Sequence, residues 1–184
     1  MTISIKRAIV KESRICSLEE KQMEWREVVE HPSLKDLPFK IETNEWGKIM
    51  MAPASYAHGV YQSEIDGLLR SLKKEGRVST ECPVQTSKGT RVADVAWASA
   101  AFHKKHGIRK LSLPESPEVV VEIESPSNTA AELEGKRLLY FEVGAKEFWL
   151  CDENGNLRFF NPQGELKRSE MFAEFPEHID IEVE

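Results

Sequence analysis

The chain has 184 residues, 40% of them hydrophobic and 30% charged, with a formal net charge of −6 at pH 7. That length and apolar content suit one domain with a real core, and no stretch approaches the roughly 20 apolar residues of a membrane span, so a soluble protein with no membrane partner is expected. The acidic balance argues against a general nucleic-acid coat, although a local basic face can survive inside such a chain.

The N-terminus, Met1-Thr2-Ile3-Ser4-Ile5-Lys6-Arg7, lacks the apolar core and small-residue cleavage site of a signal peptide. Cys16, Cys82 and Cys151 are odd in number and far apart, which speaks against a disulfide framework and a four-cysteine zinc site and for a reducing cytoplasm. Ser17-Leu18-Glu19-Glu20 has capping-box spacing, and Leu18, Trp25, Val28 and Val29 recur near helical intervals until His31-Pro32. This predicts an N-terminal helical extension over about residues 1–35 of a single domain spanning 1–184.

Phe39-Lys40-Ile41-Glu42 and Trp46-Gly47-Lys48-Ile49-Met50-Met51 flank the turn-like Thr43-Asn44-Glu45 and read as a hairpin. Ser55 can cap a helix whose Tyr61, Ile65, Leu68, Leu69 and Leu72 make one apolar stripe, ending near Gly76, with His58 in its first turn. Val78 to Ala98 reads as two strands around Ser87-Lys88-Gly89-Thr90, with Asp94 inside the second. A polar connection from His103 to Pro117 is expected next.

Pro117-Glu118-Val119-Val120-Val121-Glu122-Ile123-Glu124-Ser125-Pro126 is an apolar run suited to a strand buried on both faces. An ionised Glu122 there costs several kcal/mol unless a cation or donors meet it. Alternation puts Glu118, Glu122 and Glu124 on one face of the strand. Thr129 and Glu132 then open a helix running to about Val143, with Gly144 after it. On that helix Lys136 projects within about 60° of Leu133 and about 40° of Tyr140, so a lysine lies in the apolar stripe and points inward. Glu147 to Cys151 and Leu157 to Phe160 form two strands around Asn154-Gly155, and the alternating Ile179 to Val183 reads as an edge strand. The sum is an α/β or α+β mixture around one mainly antiparallel or mixed sheet.

Two carboxylates, Asp94 and Glu122, with the inward Lys136 are the parts of a Mg²⁺ site for phosphodiester hydrolysis. The order of these pieces resembles the PD-(D/E)XK nuclease superfamily, and more closely its Uma-type branch of restriction-endonuclease-like proteins. The resemblance runs over Lys40-Ile41-Glu42, Gly47-Lys48-Ile49, Ala52-Pro53 with His58, Ala93-Asp94-Val95, Val121 to Ser127, Lys136 with Tyr140, and Gly144 to Trp149. It implies a restriction-endonuclease-like core, with a central mixed sheet flanked by helices and extra β-hairpins. It further implies Asp94 and Glu122 as ligands of Mg²⁺ or Mn²⁺, Glu42 as an additional acidic residue, and Lys136 as a catalytic lysine moved from strand to helix. DNA is the implied partner, a homodimer the expected assembly, and His58 and Glu124 are supporting positions. Two residues depart from the pattern: Ala93 replaces the proline before the aspartate, and Glu124 stands where E-x-K has its lysine. An inactive nucleic-acid-binding or homo-oligomeric interaction protein with the same fold is therefore the competing reading.

Overall fold

The computed structural model of the chain describes residues 24–53, 55–72, 75–126 and 128–181. The first helix, α1 (Trp25–Glu30), is closed at its start by a Glu24/Glu27 capping box and ends at His31. The predicted start of that helix at Ser17 lies outside the described residues. The hairpin forms as read, β1 (Phe39–Thr43) against β2 (Ile49–Pro53), in its own two-stranded sheet. Helix α2 (Tyr56–Leu72) begins where the Ser55 hydroxyl accepts the His58 amide, and it buries Tyr61, Ile65 and Leu69.

Six strands make the central sheet in chain order: β3 (Arg77–Thr86), β4 (Gly89–Ala98), β5 (Val119–Ile123), β6 (Glu147–Cys151), β7 (Leu157–Asn161) and β8 (Gly164–Leu166). Only β5 and β6 run parallel, joined by the crossover helix α4 (Ala130–Glu142), while α3 (Ala100–His106) lies in the connection between the antiparallel β4 and β5. Every residue of β5 is buried, as its valine run requires. One face of the sheet packs Trp97, Val119, Val121 and Trp149 against Ile65 and Leu69 of α2. The other packs Val120, Phe148 and Phe160 against Tyr140 of α4.

Helix α4 keeps its predicted ends, with the Thr129/Glu132 capping box at the start and Gly144 at φ 106° just after its C-cap Val143. Three expectations change. The polar connection contains α3, capped by the Ser99 side chain and anchored by buried Phe102. Glu118 holds Ser99, accepting from both its amide and its hydroxyl, so it serves this cap rather than the strand face it was expected to share with Glu122. The tail forms no edge strand over the described residues; a single bridge joins His178 to Asn156, and buried Ile179 donates its amide to the Gly155 carbonyl. That close approach needs glycine, since a Cβ at Gly155, whose φ is 84°, would collide with the Ile179 carbonyl.

A buried carboxylate stitches this C-terminal segment to the sheet. Glu147 accepts hydrogen bonds from Trp149 Nε1 (2.7 Å), Ser169 Oγ (2.6 Å) and the amides of Glu170 and Met171 (both 2.8 Å). Glu147→Leu strands all four donors and is expected to lower the unfolding free energy by about 3 kcal/mol or more. Glu147→Gln, which keeps an acceptor, should cost less than half of that in urea denaturation, and equal losses would show that the four bonds do not anchor the segment.

Candidate active site

The site follows from where two strands stop pairing. Strands β4 and β5 pair at Val95 with Val121, Ala96 with Val120 and Trp97 with Val119. One step further in the same register sets Asp94 opposite Glu122, and there the ladder ends. Instead of a backbone rung, Asp94 Oδ2 accepts the Ile123 amide at 2.7 Å. Two buried carboxylates thus face each other across diverging strands, and both require compensation.

Two lysines supply it. Lys136 Nζ lies 3.0 Å from Glu122 Oε2 and 2.8 Å from Glu42 Oε1, so the inward helix lysine reaches the strand carboxylate as its helical position implies. Lys40 Nζ lies 2.5 Å from Asp94 Oδ1 and 3.6 Å from Glu122 Oε2. Lys40 was not among the expected site residues, yet it shares a face of β1 with Glu42 by simple alternation, and that spacing is the signal that points to it. Glu42 also accepts the Val92 amide at 3.0 Å, which fastens the hairpin to β4. Thr43 adds two further ties, accepting from the Thr90 amide and from the Arg91 guanidinium.

The remaining contacts orient the carboxylates. Tyr140 donates its hydroxyl to Glu122 Oε1 at 2.8 Å. His58 Nε2 sits 3.1 Å from Asp94 Oδ1, and Gln62 Nε2 donates to the Asp94 carbonyl at 2.7 Å and to Glu81 Oε1 at 3.0 Å. Glu81, the β3 residue across from Asp94, has a φ of 49°, a left-handed conformation uncommon for a residue with a side chain. Glu124 is half-buried and does not line the cavity to which Asp94, Glu122, Lys40 and Lys136 belong. That cavity has a volume of about 860 Å³ and is also bordered by Lys88 and Arg91.

Burial would raise the Asp94 carboxyl, but Lys40 and His58 overcome it and hold the group well below the usual carboxylate range. Burial pushes Glu122 upward against the pull of Lys136 and Lys40. Both lysines are driven up by the surrounding carboxylates in spite of their own burial, so each remains an ammonium. Burial pushes Cys82 to about 11 and Cys151 to about 12, so both are thiols at neutral pH.

Asp94 and Glu122 offer hard oxygen donors already arranged around a cation, which fits Mg²⁺ or Mn²⁺. Among the described residues no three His, Cys, Asp or Glu side chains are gathered into a ready metal cage. A Mg²⁺ ion held through one or two carboxylates, with waters and substrate phosphate completing its shell, needs no such cage.

The hydrogen bond to Asp94 raises His58 above its ordinary value. Its charged form therefore adds stability that is complete below about pH 6.5 and is lost as the pH rises through the elevated value. In chelator-treated protein, the difference in melting temperature between wild type and His58→Gln should shrink from pH 6 towards pH 9; a constant difference would show that His58 acts by packing alone.

A family model described as "Putative restriction endonuclease", the Uma2 model, matches residues 38–182. The crystal structure of a protein from Anabaena variabilis, described as "a putative nuclease belonging to DUF820", superposes with a TM-score of 0.62 at 21% identity, covering 72% of this chain and 83% of that one. At that identity the likeness concerns the fold, which is the restriction-endonuclease-like one expected. No curated protein matches the chain. Among the described residues no helix is long and apolar enough to cross a membrane. The match over residues 38–182 covers most of the chain, and the protein belongs to the Uma2 family.

Proposed function

We propose that this chain is a Mg²⁺- or Mn²⁺-dependent endonuclease that hydrolyses phosphodiester bonds in DNA. The observation that carries the reading is the pair Asp94 and Glu122, facing each other where β4 and β5 separate, gathered around an ammonium in the cavity. When bound, a divalent ion would polarise the phosphate and acidify a water. Asp94 through Oδ1 and Glu122 through Oε2 are the residues that would hold it, because their other oxygens are committed to the Ile123 amide and the Tyr140 hydroxyl. Lys136, fixed between Glu42 and Glu122, keeps a positive charge beside the position where negative charge develops on the phosphate. Glu42 is a positioning residue: it sets the Lys136 ammonium and ties the hairpin to β4. His58 and Gln62 hold Asp94 from the α2 side. Lys88, exposed at the cavity wall, offers charge to the sugar–phosphate backbone, a contact that positions without reading sequence, while the buried Arg91 is tied to the Thr43 carbonyl.

Glu124, which stands where a strand lysine occurs in the E-x-K pattern, lies outside the cavity lining, so its acidity does not intrude on the proposed ion position. We infer further that the enzyme works as a homodimer, since cutting both strands of a duplex takes two sites; a monomer by light scattering in the presence of DNA removes this part.

A second reading has its own support. The charge of Asp94 and Glu122 is already met by Lys40 and Lys136, as in a site that keeps the fold for nucleic-acid binding alone. Cleavage of plasmid and linear DNA with Mg²⁺ or Mn²⁺, with and without chelator, separates the two. Wild type is expected to cut only with metal. Asp94→Ala and Glu122→Gln should lose at least about a hundredfold in rate, and Lys136→Met about a hundredfold. No cleavage of any DNA form by wild type, with DNA binding undiminished in Asp94→Ala, would overturn the nuclease in favour of the binding protein.

A further inference from the structure

The two lysines differ in what they touch. Lys136 bridges Glu42 and Glu122, and its contacts place it on the helix side of the site. Lys40 alone bridges Asp94 and Glu122. The other oxygen of each carboxylate is occupied, Asp94 Oδ2 by the Ile123 amide and Glu122 Oε1 by the Tyr140 hydroxyl. Asp94 Oδ1, which His58 Nε2 also approaches at 3.1 Å, and Glu122 Oε2, which Lys136 also meets at 3.0 Å, are the oxygens a shared cation would use, and the Lys40 ammonium lies 2.5 Å and 3.6 Å from them.

We propose that Lys40 is a resident counter-ion that occupies the cation position between Asp94 and Glu122 and has to leave it before a divalent ion can bind. The proposal rests on the metal-dependent reading above and goes beyond it by making ion binding an exchange. An ammonium lodged between the two carboxylates and a doubly charged ion repel strongly, so the two cannot both lie between Asp94 and Glu122, whereas Lys136 touches only Glu122 of that pair and is held from the Glu42 side. Lys40 has somewhere to go, because its side chain comes from the hairpin and lines the cavity of about 860 Å³. Its side chain is 15% exposed, so part of it already borders open space. Two carboxylates facing each other unpaired would repel, and the ammonium keeps the ion-free site ordered.

The exchange lowers the apparent ion affinity by the fraction of molecules in which Lys40 has swung out. Mn²⁺ binding by isothermal titration calorimetry should be tighter by about tenfold or more in Lys40→Met than in wild type, while the same variant melts at a lower temperature without metal. Lys40→Arg, which keeps a cation in place, should show none of the gain. Because Lys40→Met can fail to fold, a second measurement uses wild type alone: trace acetylation followed by mass spectrometry, with and without Mn²⁺. Acetylation of Lys40 should rise several-fold when Mn²⁺ is present, while that of Lys136 stays low. Equal or weaker Mn²⁺ binding by folded Lys40→Met, or a Lys40 that stays shielded with the ion bound, overturns the exchange. If wild type binds Mn²⁺ and Asp94→Ala does not, such a result sinks the exchange and leaves the metal site standing. If neither wild type nor Lys40→Met binds Mn²⁺, both fall.

Discussion

The structure depends on how a carboxylate is accommodated in the middle of a buried strand. Glu122 lies in β5, all of whose residues are buried, and an unpaired charge there would cost several kcal/mol. Its compensation comes from two separate elements. Lys136 and Tyr140 arrive on α4, which the Thr129/Glu132 capping box starts at the right residue to bring both side chains over the strand. Lys40 arrives on the β1–β2 hairpin and has to serve two carboxylates, because Asp94 on β4 adds a second negative charge beside the first. Moving any of these elements exposes or strands charge at Glu122, so helix, hairpin and sheet are locked to one another through a polar centre as well as through the apolar clusters.

A second buried glutamate shows how differently the same side chain can be used. Glu147 begins β6, parallel to β5, and is as deeply buried as Glu122. All of its partners are neutral donors: an indole, a hydroxyl and two backbone amides. Such a shell fixes a geometry and offers nothing that can be exchanged. Around Glu122 and Asp94 one oxygen of each has a neutral donor, Tyr140 or the Ile123 amide, and the other is met by lysine ammonium groups, and cations can be replaced by other cations. The contrast separates a carboxylate that holds the C-terminal segment in place from a pair whose charge is met by exchangeable ammonium groups.

Much of this was legible from the sequence because it is written locally. The valine run of β5, the capping pair Thr129 and Glu132, and the inward phase of Lys136 each depend on spacings of a few residues. So do the hairpin around Asn154-Gly155 and the apolar stripe of α2. What was missed depends on distant pairing. Lys40 meets Asp94 from 54 positions away, and only the docking of the hairpin on β4 brings them together. Glu118 and Glu124 shared the expected face with Glu122, but alternation says nothing of position along a strand; one serves the Ser99 cap beyond the strand start and the other falls past its end. Helix α3 escaped because its seven residues carry one buried anchor, Phe102, and too few turns to show a period.

The hairpin's attachment has an electrostatic consequence. It meets β4 through Glu42, Thr43 and the Lys40–Asp94 pair, with Gly89 providing the bare surface on which Thr43 and Asn44 rest. Lys40 and Glu42 sit on the same strand face, so a swing of the hairpin away from the sheet would carry off one positive and one negative charge together. Asp94, Glu122 and Lys136 would retain the same net charge as the complete cluster. Opening would therefore leave the net charge of the buried cluster unchanged while breaking the Lys40–Asp94, Lys136–Glu42 and Lys88–Glu45 pairs, of which the exposed Lys88–Glu45 pair is the one salt weakens most.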